Sequence, residues 1–269
     1  MKPQIITFLA PKGGAGRTTA VMALASVLVE QKEFPTVVID ATPEARRDRI
    51  TNTTLGQWRR QMLRCGAPQG KLTVRPAASD EELTDIIDAE LDQWLPNFTT
   101  ILIDTGGRLD DLALAAAARS DLIIAPFMDA LTAHRVSEAL DEVDLGGTPV
   151  YGLKCGDACN EAEHRAVSAA FTAGRLLLHG LPYSPLLADI SDGGHLLSMY
   201  IALTCDYAHY PLGDPARAPV KGFIKVRSKI DLLLDEIYLA LDGFELRRRT
   251  PMPRRNPLPL HELAELLPT

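Results

Sequence analysis

The run Pro11-Lys12-Gly13-Gly14-Ala15-Gly16-Arg17-Thr18-Thr19 gathers the groups that hold a phosphate chain. Glycines let the backbone curl until successive N–H groups face an anion, and the start of a helix adds partial positive charge. Lys12 and Arg17 bring full charges, and Thr18 stands where a loop hydroxyl ligates Mg²⁺. Phosphate contacts are therefore expected from Lys12, Gly13, Gly14, Ala15, Gly16, Arg17, Thr18 and Thr19. The plain alternative is a glycine-rich turn without a ligand, and the two cations and paired threonines argue against it. Two aspartates close apolar runs elsewhere: Asp40 after Val37-Val38-Ile39, and Asp104 after Ile101-Leu102-Ile103. A carboxylate at a strand end can hold Mg²⁺ directly or through water, so Thr18, Asp40 and Asp104 form the candidate metal set. Thr42 follows Asp40 closely. Its hydroxyl can hydrogen-bond a water but cannot take that water's proton. It equally suits the N-cap of a helix with Pro43 in the first position. Gly106 and Gly107 leave the backbone after Asp104 free to rearrange.

These groups act together only if strands and helices bring them to one edge. Short apolar runs at Gln4 to Ala10, Thr36 to Asp40, Thr99 to Asp104, Leu122 to Pro126 and Pro149 to Leu153 read as buried parallel strands. Helical patterns alternate with them: Thr18 to Gln31, Pro43 to Arg64, Asp80 to Trp94, Leu109 to Arg119 and Thr132 to Val143. Ser79 with Glu82 makes a capping box for the third of these. The alternation predicts a doubly wound α/β sheet, mostly parallel, with the glycine loop between the first strand and first helix. The stretch 196–219, rich in tyrosine and turn residues, reads as an insertion or short subdomain. Val220 to Leu241 reads as a long last helix, giving a main domain over 1–242 and an Arg- and Pro-rich tail over 243–269, with His261 to Leu267 able to form a helical turn or two.

Composition sets the class. The chain has 269 residues, 46% of them hydrophobic, and a net charge of -7, so general attraction to nucleic acid is excluded and only a local basic patch could bind it. Lys221, Lys225 and Lys229 recur at one-turn spacing on the last helix, with Arg227 among them and Arg247, Arg248, Arg249, Arg254 and Arg255 in the tail. A solvated helix face is the competing reading of the stripe. Arg46, Arg47, Arg49, Arg59, Arg60 and Arg64 form a second basic group that could face a partner protein. Four cysteines make no disulfide framework, and Cys155 and Cys159 lack a second pair of metal-ligand spacing, so they read as ordinary thiols. The absence of a long apolar run or a leader pattern predicts a cytoplasmic protein with no membrane span.

The order Lys-Gly-Gly-x-Gly-[Lys/Arg]-Thr-Thr in Lys12–Thr19 resembles the deviant Walker A loop of the ParA/MinD family of P-loop ATPases. Ile39-Asp40-Ala41-Thr42-Pro43 is similar to that family's D-x-D-P motif, Ile101 to Gly107 to its Walker B and switch, and Ser120 to Pro126 to its next strand. The resemblance covers 4–155 clearly and 175–242 faintly. It implies ATP and Mg²⁺ as cofactors and an ATP-dependent homodimer in which Lys12 reaches the partner's nucleotide. It further implies non-specific DNA binding, nucleoid association where DNA is bound, and a partner protein that stimulates turnover or links to cargo. Catalytic roles fall on Lys12, Asp40 and Thr42. Asp104-Thr105-Gly106-Gly107, Leu181 to Pro185 and the long last helix are similar to the ParA-like ATPase of agrobacterial T-DNA transfer. Three positions depart from the pattern: Pro11 replaces the first glycine, Arg17 the loop lysine, and Thr42 the second aspartate. A guanidinium is bulkier and forked where the family has an ammonium, and a hydroxyl is a poorer water-orienting group than a carboxylate, so slow hydrolysis is expected. The implied function is an ATP-dependent dimerising switch in DNA partition or conjugative transfer. The alternatives are a nucleotide-binding scaffold with little turnover, or a small-molecule ligase or reductase with its substrate pocket near 196–219. A cluster-bearing reductase needs cysteines around the Walker B strand, and none lies between Cys65 and Cys155.

Overall fold

A computed structural model describes residues 3–31, 35–47, 53–66, 71–92, 100–156 and 160–243, the side chains of 46 and 47 excepted. The first half runs β1 (Gln4–Phe8), α1 (Arg17–Gln31), β2 (Thr36–Ala41), α2 (Pro43–Arg47), α3 (Thr54–Arg64), β3 (Leu72–Pro76), α4 (Asp80–Asp92) and β4 (Thr100–Thr105). The middle follows with α5 (Asp111–Ala118), β5 (Leu122–Phe127), α6 (Ala130–Asp141), β6 (Val150–Gly156) and α7 (Glu161–Ala170). The last part holds β7 (Arg175–Leu176), β8 (Leu181–Pro182), α8 (Pro185–Ala188), α9 (Ile190–Gly193), α10 (Leu196–Asp206), a 3-10 turn at Pro215–Arg217, and α11 (Ala218–Leu241).

The strands lie side by side as β3-β2-β4-β1-β5-β6-β7, with β8 also pairing β6. Every pairing among them is parallel, as expected of strands buried on both faces. β4 and β5 flank β1 on opposite sides, so the chain reverses its winding there and opens a crevice at the carboxyl end of β1. Alternate strand residues face opposite layers. Ile6, Phe8, Val38, Leu102 and Ile124 join the core formed with α1, α3 and α8 to α11. Ile5, Val37, Ile39, Ile101 and Ile103 meet α4 and α5, and Leu9, Ile123, Ala125 and Phe127 meet α5, α6 and α7. α1 is apolar almost all round because it lies between the sheet and an outer layer of α3, α9, α10 and α11.

Several elements differ from expectation. The helix read across Pro43 to Arg64 is two helices, and α3 starts afresh where the Thr53 hydroxyl accepts the Gly56 N–H at 3.0 Å. β3 is an edge strand in which Val74 alone is buried, so its sequence lacks the continuous apolar run of the inner strands. β7 and β8 are two residues each, too short for any periodicity to register. The stretch 196–219 begins with a regular helix, α10, whose Leu196 and Met199 enter the main core beside α1 and α11. No helix among the described residues is long and apolar enough to cross a membrane. Arg49, Cys159 and the tail from 244, with Arg247, Arg248, Arg249, Arg254, Arg255 and the 261–267 stretch, lie outside the described residues.

Candidate functional site

The loop leaves β1 at the crevice and enters α1 at Arg17. Gly14 and Gly16 hold φ of 84° and 83°, a backbone that L side chains rarely adopt. Gly16 is also crowded, since a Cβ there would stand 3.1 Å from Cys155 Cβ on β6. Burial drives the Cys155 thiol up to about 12, against the charge of Lys154, so this sulfur is an inert spacer beside the loop. Lys12, Gly13 and Gly14 are exposed, whereas Ala15 to Thr19 are half-buried.

Asp40 and Asp104 are partners in register on the neighbouring strands β2 and β4, both buried at the same end of the sheet. Asp104 is fully engaged. Arg17 Nε donates to Oδ1 at 2.7 Å and Thr18 Oγ1 donates to Oδ2 at 2.6 Å. Arg17 Nη1 reaches on to the carbonyls of Gly106 at 2.9 Å and Ala10 at 3.3 Å, so one guanidinium ties β1, β4 and the segment after β4 together. Burial raises the Asp104 carboxyl above the ordinary range; Arg17 and the Thr18 hydroxyl oppose that rise, and the nearby Asp40 adds to it.

Thr42 takes the capping role read for it and also engages Asp40. Its hydroxyl donates to Asp40 Oδ1 at 2.6 Å, and the same oxygen stands 3.4 Å from the Ala45 N–H, at the start of α2. Asp40 Oδ1 also takes the Thr42 N–H at 3.2 Å, while Oδ2 is buried with no hydrogen-bond partner. Gly106 and Gly107 are needed for close approach as much as for freedom. A Cβ on Gly106 would meet Pro43 Cδ at 2.8 Å, and one on Gly107 would meet the Gly13 nitrogen at 2.9 Å. The segment after β4 thus packs directly on both the glycine loop and α2. That contact was not visible in the sequence, because it depends on which strands become neighbours.

Among the basic candidates, Lys221, Lys225 and Lys229 are exposed along α11, opposite the buried Phe223, Ile230 and Leu234. Arg227 departs from the sequence reading. It pairs with Glu30 of α1 through Nη1 and with Asp231 at 3.0 Å through Nε, its side chain only 12% exposed, so it holds helices together and is not offered to a surface ligand. Arg60 and Arg64 are exposed one turn apart on α3, whereas Arg59 is half-buried. Sequence reading also missed Glu236. It is buried in α11, where its carboxylate takes the N–H groups of Leu178 and His179 and fixes the connection between β7 and β8.

With this geometry established, comparison with known proteins adds three findings. The family model described as VirC1 protein matches residues 3–145. The chain is 32% identical over 137 residues to a curated protein virC1 of Rhizobium rhizogenes, and 31% identical over 137 residues to one of Rhizobium radiobacter. Each of these alignments covers 51% of this chain and 53% of the relative, so the chain spans about half the length of the curated relatives it matches. Among solved structures, a ParA family ATPase from Chlorobium tepidum superposes with a TM-score of 0.58 at 12% identity, over 87% of this chain and 98% of that one. MinD from Aquifex aeolicus gives 0.54 at 15% identity, over 92% and 100%. A putative plasmid partition protein from Borrelia burgdorferi bound to AMPPNP gives 0.53 at 18%, over 88% and 100%. These likenesses establish the ParA/MinD type of P-loop fold.

Proposed function

Because the chain belongs to the VirC1 protein family, we propose that it is a ParA-like switch that binds ATP, dimerises around it, and acts on DNA in plasmid partition or conjugative transfer. The observation that carries this reading is the meeting of Lys12–Thr19 with Asp40 and Asp104 at one end of β1, β2 and β4. A glycine loop opening a helix beside two strand-end carboxylates is suited to a nucleoside triphosphate with its metal and to little else. The AMPPNP held by the partition protein of the same fold supports the same ligand class.

The donors suit Mg²⁺. Thr18, Asp40 and Asp104 offer hard oxygens, and Asp40 Oδ2 is a buried oxygen with no hydrogen-bond partner. When bound, the ion neutralises charge on the phosphate oxygens. Thr18 and Asp104 would hold it, with Asp40 on the side of Thr42. The backbone of Gly13 to Gly16 and the Arg17 guanidinium would orient the phosphates, and Lys12, exposed at the rim, would reach the nucleotide of a second copy. Thr42, already donating to Asp40, would hold a water without taking its proton, so turnover should fall below about 1 s⁻¹. Lys221, Lys225 and Lys229 would meet phosphate backbones, and the arginines Arg247 to Arg249 would add further cations for the same ligand. We assign the switch to 1–242 and read 243–269 as its basic tail.

Calorimetry with ATP and Mg²⁺, light scattering for the dimer, and turnover with and without duplex DNA test this reading. Ligand at 100 times its Kd should add about 2.7 kcal/mol of stability. A melt unmoved by millimolar ATP and Mg²⁺, with no binding heat, would overturn it. A second reading, a nucleotide-bound scaffold with little turnover, is favoured by the engagement of Thr42 with Asp40, and DNA-stimulated hydrolysis decides between the two.

A further inference from the structure

We propose that Arg17 is a positioning residue that latches the segment after β4 to Asp104, and that phosphate binding releases it. The inference rests on the nucleotide reading above and goes beyond it to how the site signals its occupancy. Three observations carry it. The guanidinium is divided between Asp104 Oδ1 at 2.7 Å, the Gly106 carbonyl at 2.9 Å and the Ala10 carbonyl at 3.3 Å, and the side chain is 10% exposed. It follows the glycine loop immediately, at the first residue of α1, where a cation meets any phosphate the loop holds. The segment it grips is packed on Gly13 through Gly107 and on Pro43 through Gly106, so movement there reaches the loop and α2 together.

The fork matters. A guanidinium offers donors in several directions of one plane, and here Nε serves the carboxylate while Nη1 serves two carbonyls. An ammonium on a lysine stem is a point charge that can pair with Asp104 but cannot span both strands and the following segment at once. Turning Nε and Nη1 to a phosphate breaks this arrangement, because those two nitrogens serve Asp104, Gly106 and Ala10. Once it turns, the Gly106 carbonyl loses its main side-chain donor, keeping only the Thr105 hydroxyl at 3.4 Å, and Asp104 loses its counterion. The latch therefore has two arrangements, and the occupant of the loop selects between them.

Hydrogen exchange of the 105–110 segment in full-length protein reads the latch. In the empty protein, Arg17→Lys should raise exchange there by roughly fivefold or more, the low end of two-state coupling. AMPPNP with Mg²⁺ should then bring the wild-type segment to a new exchange level that the variant, with the same ligand, shares. Equal exchange in the two empty proteins would overturn the latch, as would a difference that bound nucleotide fails to erase, since a merely structural arginine would leave it standing. Arg17→Lys keeps the charge beside Asp104 and so keeps the fold, and Arg17→Gln serves as a second variant with a planar, uncharged head. Calorimetry runs alongside. If AMPPNP binds neither protein, the nucleotide reading falls and the release step with it, while the hold of Arg17 is judged by the empty proteins alone.

Discussion

Lys12 and Arg17 are the two cations of one loop, yet Lys12 is exposed at the rim while Arg17 is drawn inward onto Asp104. Their substitution should therefore differ in kind. Lys12→Ala removes no buried contact, so stability to urea should change by less than about 0.5 kcal/mol, as at most exposed positions. The same variant should lose the ATP-dependent dimer by light scattering, and a dimer that persists would remove Lys12 from any role across the interface. The loop itself was legible at this scale. Gly14 and Gly16 carry the positive φ that their type foretold. What Arg17 does was not legible, because its partners Asp104 and Gly106 lie far along the chain and meet it only through the pairing of β1 with β4. Thr42 shows the same limit: the sequence left water-holding and capping open, and the structure adds a third engagement, with Asp40.

Elements are tied to one another by a small buried ionic group that no motif announces. Glu30 near the end of α1 is 4% exposed, pairs with Arg227 of α11, and accepts the Leu197 N–H of α10 at 2.7 Å. The His195 ring accepts the Ser198 N–H at 3.1 Å, capping α10, and stands 3.3 Å from Glu30. Burial alone would raise the Glu30 carboxyl, but Arg227 and the Leu197 N–H outweigh burial and hold it below the ordinary range. As pH falls past the ordinary carboxylate value, about 4.3, the unfolded chain takes up a proton that folded Glu30 refuses. Its contribution to stability is thus full above that pH and is lost as pH drops through the lower folded value. Arg227→Ala should cost about 3–5 kcal/mol in urea at pH 7 by stranding a buried carboxylate. That penalty should shrink toward pH 4, where protonation neutralises the stranded group. A penalty that stays constant over this range would show that lost packing, and not charge, is responsible. At the start of α3, Thr53→Ala should cost about 1 kcal/mol in the same assay, the usual worth of an N-cap hydroxyl. Inner strands and α1 were readable because burial on both sides demands unbroken apolar runs. The break before α3 was not, since an amphipathic pattern runs from α2 into α3, nor was the edge strand β3, whose single buried residue, Val74, leaves no apolar run.

For the molecule as a whole, a net charge of -7 repels DNA, so binding requires that cations gather on one surface. α11 provides this: Phe223, Ile230, Leu233 and Ile237 anchor it in the core, and Lys221, Lys225 and Lys229 stand outward at one-turn intervals. The expected outcome is non-specific duplex binding by the ATP-bound dimer, where each copy presents its own row and the second contact becomes intramolecular. Affinity should fall with salt at a slope of about -0.9 per neutralised phosphate. Replacing the three lysines by glutamate should abolish binding and leave ATP affinity unchanged, because these side chains lie on the exposed face of α11 and the loop opens α1. Arg227→Ala, tested where the protein is still folded, should leave the salt slope as it is, since that guanidinium is committed to Glu30 and Asp231. Fluorescence anisotropy with a labelled duplex at several salt concentrations measures both. A triple variant that still binds would move the contact to Arg60 and Arg64 on α3, the other exposed basic pair among the described residues whose spacing fits a row. A wild-type protein that fails to bind at low salt with ATP present would remove DNA as the partner and leave the nucleotide site to serve a protein one.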